Sequence, residues 1–268
     1  MITASIVTYH TSLKDLRRIV DCVMKSSISK LYIIDNSTND KLRYFEKNNP
    51  RIQYIKNLNL GYGNGHNIAI RESIESNAKY HVVLNPDVYW DGNVIETLAD
   101  YMDNNIDVAQ VMPKVFYPDG KLQYLCKMCP SPIDLIFKRF IPSKFIKRRI
   151  EKFQLQFTDY DKPMNVPYLS GCFMFFRVTS FKDVGLFDER FFMYPEDIDI
   201  TRRMHAKYKT MFYPYVSIVH AHAAASKTNK KMLYIHIRNM IKYFNKWGWI
   251  FDKQRSTFNK KLLKELKN

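Results

Sequence analysis

Through its first 120 residues the chain alternates short, apolar, β-rich runs with segments of helical period. The run "ASIVTYH" leads into "SLKDLRRIVDCVMKS", where Leu13, Leu16, Ile19, Val20 and Val23 recur at helical spacing behind Ser12 as N-cap. "KLYIIDNS" and "RIQYIKN" read as two more strands, "GHNIAIRESIESN" as a helix and "KYHVVLNPD" as a fourth strand. "DGNVIETLADYMDNN" is helical again, and "DVAQVMPKVFY" returns to strand. Strands separated by helices need crossover connections, so the pattern predicts an α/β fold with a mostly parallel sheet covered on both faces. Ligands of such sheets sit at the carboxyl ends of the strands. Asp35 and Asp87 both fall there.

After residue 120 the alternation breaks. "SPIDLIFKRFIPSKFIKRRIEKF" has no clean period, and "YLSGCFMFFRV" reads as a buried strand. "EDIDITRRMHAKYK" reads as a helix opening with acids, and "TMFYPYVSIVHAH" as two short strands separated by a proline. From Lys230 onward the chain reads as a basic helix with apolar and aromatic positions.

With 46% apolar and 15% aromatic residues in 268, the composition is that of a globular protein. No apolar run approaches the roughly 20 residues that span a bilayer. "MITASIVTYH" lacks a basic segment followed by an apolar one and is not read as a signal peptide, so a cytoplasmic protein with reduced cysteines is expected. The C-x-x-C of "CKMC" has no second pair at zinc-site spacing and reads as two ordinary cysteines. The net charge of +16 is local. Residues 227–268 carry twelve Lys/Arg against Asp252 and Glu265, and residues 138–152 carry seven against Glu151. The remainder is balanced.

Five stretches carry chemistry. Asp35, closing "LYIIDNS", either accepts the N3–H of uracil or thymine or caps the next turn. The glycine-rich "NLNLGYGNGHN" fits neither G-x-G-x-x-G nor a Walker loop, yet glycines at a helix N-terminus allow close backbone approach to a ligand; a plain connecting loop is the other reading. "NPD" offers oxygen ligands, and Mg²⁺ or Mn²⁺ on a diphosphate needs only one or two protein carboxylates. "FMYPEDIDITRR" sets Glu196, Asp197 and Asp199 at a helix start, as dipole partners or as a general base for a hydroxyl. His220 and His222 in "IVHAHAAAS" share a strand face, which keeps a metal or diphosphate role open.

These pieces in this order resemble glycosyltransferase family 2, with its GT-A fold, and especially its rhamnosyltransferase-like bacterial members. The resemblance runs from "SIVTYH" to about "YIHIRNMIKYF". It implies a GT-A domain over residues 1–226, with a nucleotide-sugar half to about 120 and an acceptor half from 121, followed by a basic helical segment at 227–268. The opening strand with Thr8 and Tyr9 is similar to the family's nucleotide-binding start, and "IIDNST" to its pyrimidine-contacting acid, Asp35. "NLGYGNGHNIAI" implies that Asn59, Gly61 and Asn67 line the nucleotide. "LNPDV" sits where the family has Asp-x-Asp, with Asn85 replacing the first acid and Asp87 left as the main ligand of Mg²⁺ or Mn²⁺. "PEDIDITRR" resembles the Glu-Asp motif followed by Arg203, and His220 the late histidine at metal or diphosphate.

The resemblance further implies an inverting transfer from dTDP-rhamnose or a UDP-hexose. Asp197 is the expected base and Glu196 the less favoured one; Arg203 and His220 would add positive charge near the leaving group. The implied acceptor is a glycan on a polyprenyl-diphosphate carrier, in capsule, O-antigen or another surface polysaccharide pathway. The two basic, aromatic segments would then rest on the anionic inner face of the cell membrane. A solvated basic face is the plainer reading of the same residues. The rivals are a nucleic-acid-binding protein, suggested by a pI near 9.5, and a metal-dependent nucleotidyltransferase. Nucleic-acid binding leaves the strand-end acids unexplained.

Overall fold

The computed structural model describes residues 1–137, 141–221 and 230–267. His222 and the rest of the segment through 229 lie outside the described residues, as do positions 138–140 of the first basic segment.

In chain order the strands are β1 (Ile2–Thr8), β2 (Lys30–Asp35), β3 (Ile52–Lys56), β4 (Tyr80–Leu84), β5 (Val88–Tyr89), β6 (Val108–Phe116), β7 (Cys126–Lys127), β8 (Met164–Asn165), β9 (Tyr168–Leu169), β10 (Phe173–Arg177) and β11 (Lys209–His220). The helices are α1 (Leu13–Lys25), α2 (Tyr44–Asn48), α3 (Tyr62–Glu75), α4 (Val94–Asp103), α5 (Pro132–Leu135), α6 (Ser143–Phe153), α7 (Phe181–Val184), α8 (Glu196–His205), α9 (Lys230–Trp247) and α10 (Lys253–Glu265). The expected α1 forms as read: Ser12 caps it by accepting from the Asp15 amide, and Leu16, Ile19, Val20 and Val23 are its buried face.

Among the described residues the main sheet has nine strands in the order β3-β2-β1-β4-β10-β6-β11-β5, with β8 also on β11. β1, β2, β3 and β4 pair in parallel, as do β6 and β11. β10 inserts antiparallel between β4 and β6. All five residues of β4 are buried, as a strand covered on both faces requires. His81 can sit in that strand because its ring is fully hydrogen-bonded: Nδ1 lies 2.9 Å from Thr3 Oγ1 and Nε2 lies 2.8 Å from Ser5 Oγ. Burial pushes it down to about 3, so it is neutral.

Three expectations need correction. "YLSGCFMFFRV" is not one strand: β9 pairs with β7 in a separate two-stranded sheet, and Ser170-Gly171-Cys172 turns the chain into β10. "TMFYPYVSIVHAH" is not split by Pro214: β11 is one strand whose register against β6 shifts between Tyr213 and Ser217, which lets the ladder accommodate a proline without an N–H. The segment from Lys230 is two helices, broken at Gly248 (φ +100°), where a Cβ would lie 2.6 Å from the Phe251 carbonyl oxygen.

Residues 230–267 do not stand apart from the rest. Met240, Tyr243 and Phe244 of α9 pack with Leu135, Phe191 and Ile198. Arg202, 1% exposed, donates to Asp252 at 2.8 and 2.5 Å and to Gln254 Oε1 at 2.7 Å, with its guanidinium 4.1 Å from the Trp247 ring centroid. Asp252 also caps α10 by accepting from the Arg255 amide. Asp252→Ala leaves a buried guanidinium unpaired and removes the cap. It is expected to cost about 3–5 kcal/mol in urea unfolding at neutral pH. A loss below about 1 kcal/mol would mean that the pair does not hold α8 to α10.

Candidate active site

Two corners of the fold are linked through one tyrosine, Tyr62. At the first, β4 ends and Asn85-Pro86-Asp87 turns the chain into β5. Because β5 pairs with the end of β11, His220 comes to lie opposite Val88. His220 Nε2 is 3.3 Å from Asp87 Oδ1 and 3.3 Å from Asn85 Nδ2. Gln123 holds the other side of the ring, with Oε1 3.2 Å from Nδ1, while its amide donates to the His220 carbonyl at 2.7 Å. Burial opposes charge on the imidazole, but Asp87 and Cys172 beside it prevail and lift it to about 10. Asp87 is a partly exposed carboxylate, its side chain 35% accessible.

The second corner is the start of α8. Glu196 and Asp197 are 4% and 8% exposed. Asp197 accepts from the Gly171 amide at 2.9 Å and the Ile198 amide at 2.8 Å. Burial raises its pKa, and those amides with the nearby Lys127 ammonium pull it back. Glu196 is raised more, by burial and then by Asp197, and its Oε2 has no hydrogen-bond partner among the described residues. Lys127 is placed by the pairing of β7 with β9, opposite Tyr168, whose ring centroid is 4.9 Å from its Nζ. Gly171 leaves Asp197 its room: a Cβ there would sit 3.1 Å from Asp197 Cβ and press the carboxylate aside.

Tyr62 joins the corners. Its hydroxyl is 3.0 Å from Asn85 Oδ1 and 2.7 Å from the Gly171 carbonyl oxygen. Burial raises the phenol well above its ordinary value, and the nearby Glu196, Cys172, Asp197 and Asp87 raise it further.

The remaining sequence-derived residues fall into two other groups. Asp35 is fully buried at the carboxyl edge and accepts from Thr8 Oγ1 (3.1 Å), the Ser37 amide (3.0 Å) and hydroxyl (2.5 Å) and the Tyr54 hydroxyl (2.9 Å). It ties β1, β2 and β3 together, with three donors on Oδ1 and the Tyr54 hydroxyl on Oδ2. Tyr9 is exposed beside it, edge-on to His10. Asn59 is exposed.

Gly61, Asn67 and Arg203 instead hold the segment 184–193 that leads into α8. Gly61 (φ +112°) lies so near Phe192 that a Cβ would fall 2.4 Å from its carbonyl oxygen, and that oxygen accepts from the Tyr62 amide at 2.9 Å. Here the close backbone approach that glycine permits is to protein. Asn67 uses both ends of its amide on the Phe187 backbone, at 2.9 and 3.0 Å. Arg203 donates to Asp199 and to the carbonyls of Val184, Gly185 and Leu186. The guanidinium expected at a leaving group is thus bonded to the carbonyls of this loop.

Sequence reasoning missed Tyr62, Lys127, Gly171 and Gln123. Lys127 stood inside a motif weighed only for its cysteines, and Tyr62 between glycines weighed only for their backbone. Glu196→Gln removes a buried carboxyl whose pKa is raised on folding. Such a group favours the folded state most below its unfolded pKa, and that contribution is lost as pH rises through the folded value. The variant is expected to gain about 1–2 kcal/mol over wild type at pH 8 and little near pH 5. Thermal melts at both pH values read the difference; a gain equal at both would show that the ionisation of Glu196 is not the cause.

Comparison with known proteins agrees with this architecture. A family model described as glycosyltransferase-like family 2 matches residues 2–240. An N-acetylglucosaminyl-diphospho-decaprenol L-rhamnosyltransferase of Mycobacterium tuberculosis is 27% identical over 212 residues, 72% of this chain and 66% of the relative, so the chain spans just under two thirds of its length. The rhamnosyltransferase WbbL of Escherichia coli K12 is 24% identical over 220 residues, covering 80% of this chain and 81% of that one. Among solved structures, GalNAc-T7 with UDP, GalNAc and Mn²⁺ superposes with a TM-score of 0.59 at 16% identity, over 82% of this chain and 43% of that one, and shares the GT-A fold. With the sheet order, the Asn-Pro-Asp turn and the Glu-Asp helix all in the matched span, the chain belongs to the family 2 glycosyltransferases.

Proposed function

We propose that this site transfers a sugar, with inversion, from a dTDP- or UDP-sugar to a hydroxyl of a polyprenyl-diphosphate-linked glycan. The observation that carries this is the convergence of Asp197, with its two backbone donors and Lys127, and the Asp87–His220 corner around one tyrosine. A base and a leaving-group site must face the same reacting carbon, and this arrangement supplies both. Asp197 takes the proton of the acceptor hydroxyl as its oxygen attacks the anomeric carbon. The bond from that carbon to the diphosphate breaks on the opposite face. Asp197 suits the role better than Glu196 because amides and a cation favour its ionised form, whereas Glu196 is driven toward the neutral acid.

Among the described residues no three His, Cys, Asp or Glu side chains form a metal cage. A divalent ion bridging a diphosphate does not need one: the Asp87 carboxylate, with His220 and Asn85 beside it, offers the hard, partly exposed donor that Mg²⁺ or Mn²⁺ accepts when phosphate and water complete the shell. Bound there, the ion would act as a Lewis acid on the departing diphosphate. Thr8, Tyr9, Asp35 and Asn59 lie at or near the carboxyl edge and are the candidates to meet the nucleoside. The rhamnosyltransferase names of the two relatives favour dTDP-rhamnose, with UDP-hexoses next, and the diphospho-decaprenol in one name favours a lipid-linked acceptor at the inner face of the cell membrane. Surface polysaccharide assembly is the setting that fits.

Calorimetric titration with UDP and dTDP, with and without Mn²⁺, tests the reading. Binding of either nucleotide that strengthens with metal is expected, Asp87→Ala should weaken it, and Asp197→Asn should keep it while transfer falls by at least 10²-fold. Binding of neither nucleotide by wild type would sink the proposal.

Lys127 gives a second test. A base whose pKa is raised loses activity as pH falls, before the ordinary carboxylate range near about 4 is reached. Lys127→Met removes the cation that favours the carboxylate, so the acidic limb of kcat/KM should move to higher pH. An unmoved limb would separate Lys127 from the base.

A further inference from the structure

We infer that the groove between α6 and α10 is a docking site for the headgroup and upper acyl chain of an anionic phospholipid, so that this face meets the bilayer. The groove has a volume of about 690 Å³. Its apolar wall is Phe157, 53% exposed, and Leu263, extended by the aliphatic stems of the surrounding lysines. Around that wall stand Arg148, Lys152, Lys260, Lys264 and Lys267. Among the described residues none of these five cations is in an ion pair, although other basic side chains of the chain are. Glu151 is the single acid of the lining, and its partner is Lys147 on its own helix.

Unpaired cations around an exposed aromatic ring select a ligand that carries negative charge and hydrocarbon together. An anionic lipid does both, since each lysine near such a surface contributes about 1 kcal/mol and the ring is removed from water. RNA would satisfy the charge and leave the aliphatic wall without a partner. Ile250 and Phe251, just ahead of α10, are 77% and 94% exposed, so apolar side chains also flank the start of the helix. No helix among the described residues is long and apolar enough to cross a membrane, so contact here lies on the surface and not through it. This inference deepens the membrane-side part of the proposed function and rests on it for its setting.

The test is co-sedimentation of the full chain with vesicles of phosphatidylcholine alone and of phosphatidylcholine with phosphatidylglycerol, at low and high salt. Wild type should bind only the anionic vesicles, and less as salt rises. Lys260→Gln/Lys264→Gln/Lys267→Gln should lower the partition coefficient on the order of 100-fold, the equivalent of three lysines at about 1 kcal/mol each. Phe157→Ser should weaken binding while keeping its salt dependence. Thermal melts matching wild type confirm that both variants fold. Equal partition of wild type into both vesicle types overturns the inference, as does a triple variant that binds like wild type. Displacement of anionic vesicles by a single-stranded RNA oligonucleotide at equal charge also overturns it. Nucleotide titration of the same samples separates the two ideas: UDP or dTDP binding without selective vesicle binding rejects the groove alone, and vesicle binding through these lysines without nucleotide binding rejects the transferase alone.

Discussion

The buried pair of Arg202 and Asp252 sets the terms for the rest of this molecule. Eight of the ten residues of α8 are buried, and among them are Glu196, Asp197, Asp199 and Arg202. Charges in the interior are tolerated when paired and hydrogen-bonded and are expensive otherwise. α9 and α10 meet most of that demand. Asp252 and Gln254 complete Arg202, while Lys246 and Trp247 join Arg203 on Asp199. Part of the positive charge in the last forty residues therefore works inside the protein, on the helix that carries the acids of the site.

What those helices leave unneutralised is the pair at the front of α8. Glu196 and Asp197 have fewer donors than their oxygens can take, and burial raises both pKa values. The difference between them comes from their neighbours. Asp197 accepts from the amide of Gly171, in the turn that leads from the two-stranded sheet into the main sheet, and has Lys127 nearby, whereas Glu196 is raised further by Asp197 and Asp199. One helix start thus presents one carboxyl kept nearer ionisation and one kept nearer neutrality, which is how environment divides roles between adjacent acids.

A second dependence runs through the segment 184–193. Beyond Val184 it is irregular, and it leads into α8. Arg203 fixes its beginning, Asn67 its middle and Gly61 its end. Three residues from distant motifs therefore act on the site through a loop, as positioning residues. Their worth to a reaction would come from geometry, because small displacements of a base are costly to a reaction rate.

Most of the strands and helices to residue 120, the N-cap of α1 and the placement of Asp35 and Asp87 at strand ends were legible in the sequence, because each follows from local period and local turn chemistry; the short α2 and β5 were not. The Glu-Asp helix start and the excess of positive charge in two segments were legible for the same reason. The sequence could not reveal that β10 would run antiparallel, that β11 would pass Pro214 with a register shift, or that Gly61, Asn67 and Arg203 would bind protein. Those outcomes depend on partners outside the local window, 19 residues away for Arg203 and Val184 and 120 for Asn67 and Phe187. Lys127 is the plainest case: nothing next to it in the chain points to Asp197, and only the pairing of β7 with β9 brings the two together. Local propensity determined the elements, while long-range packing decided which of their charged side chains share one site.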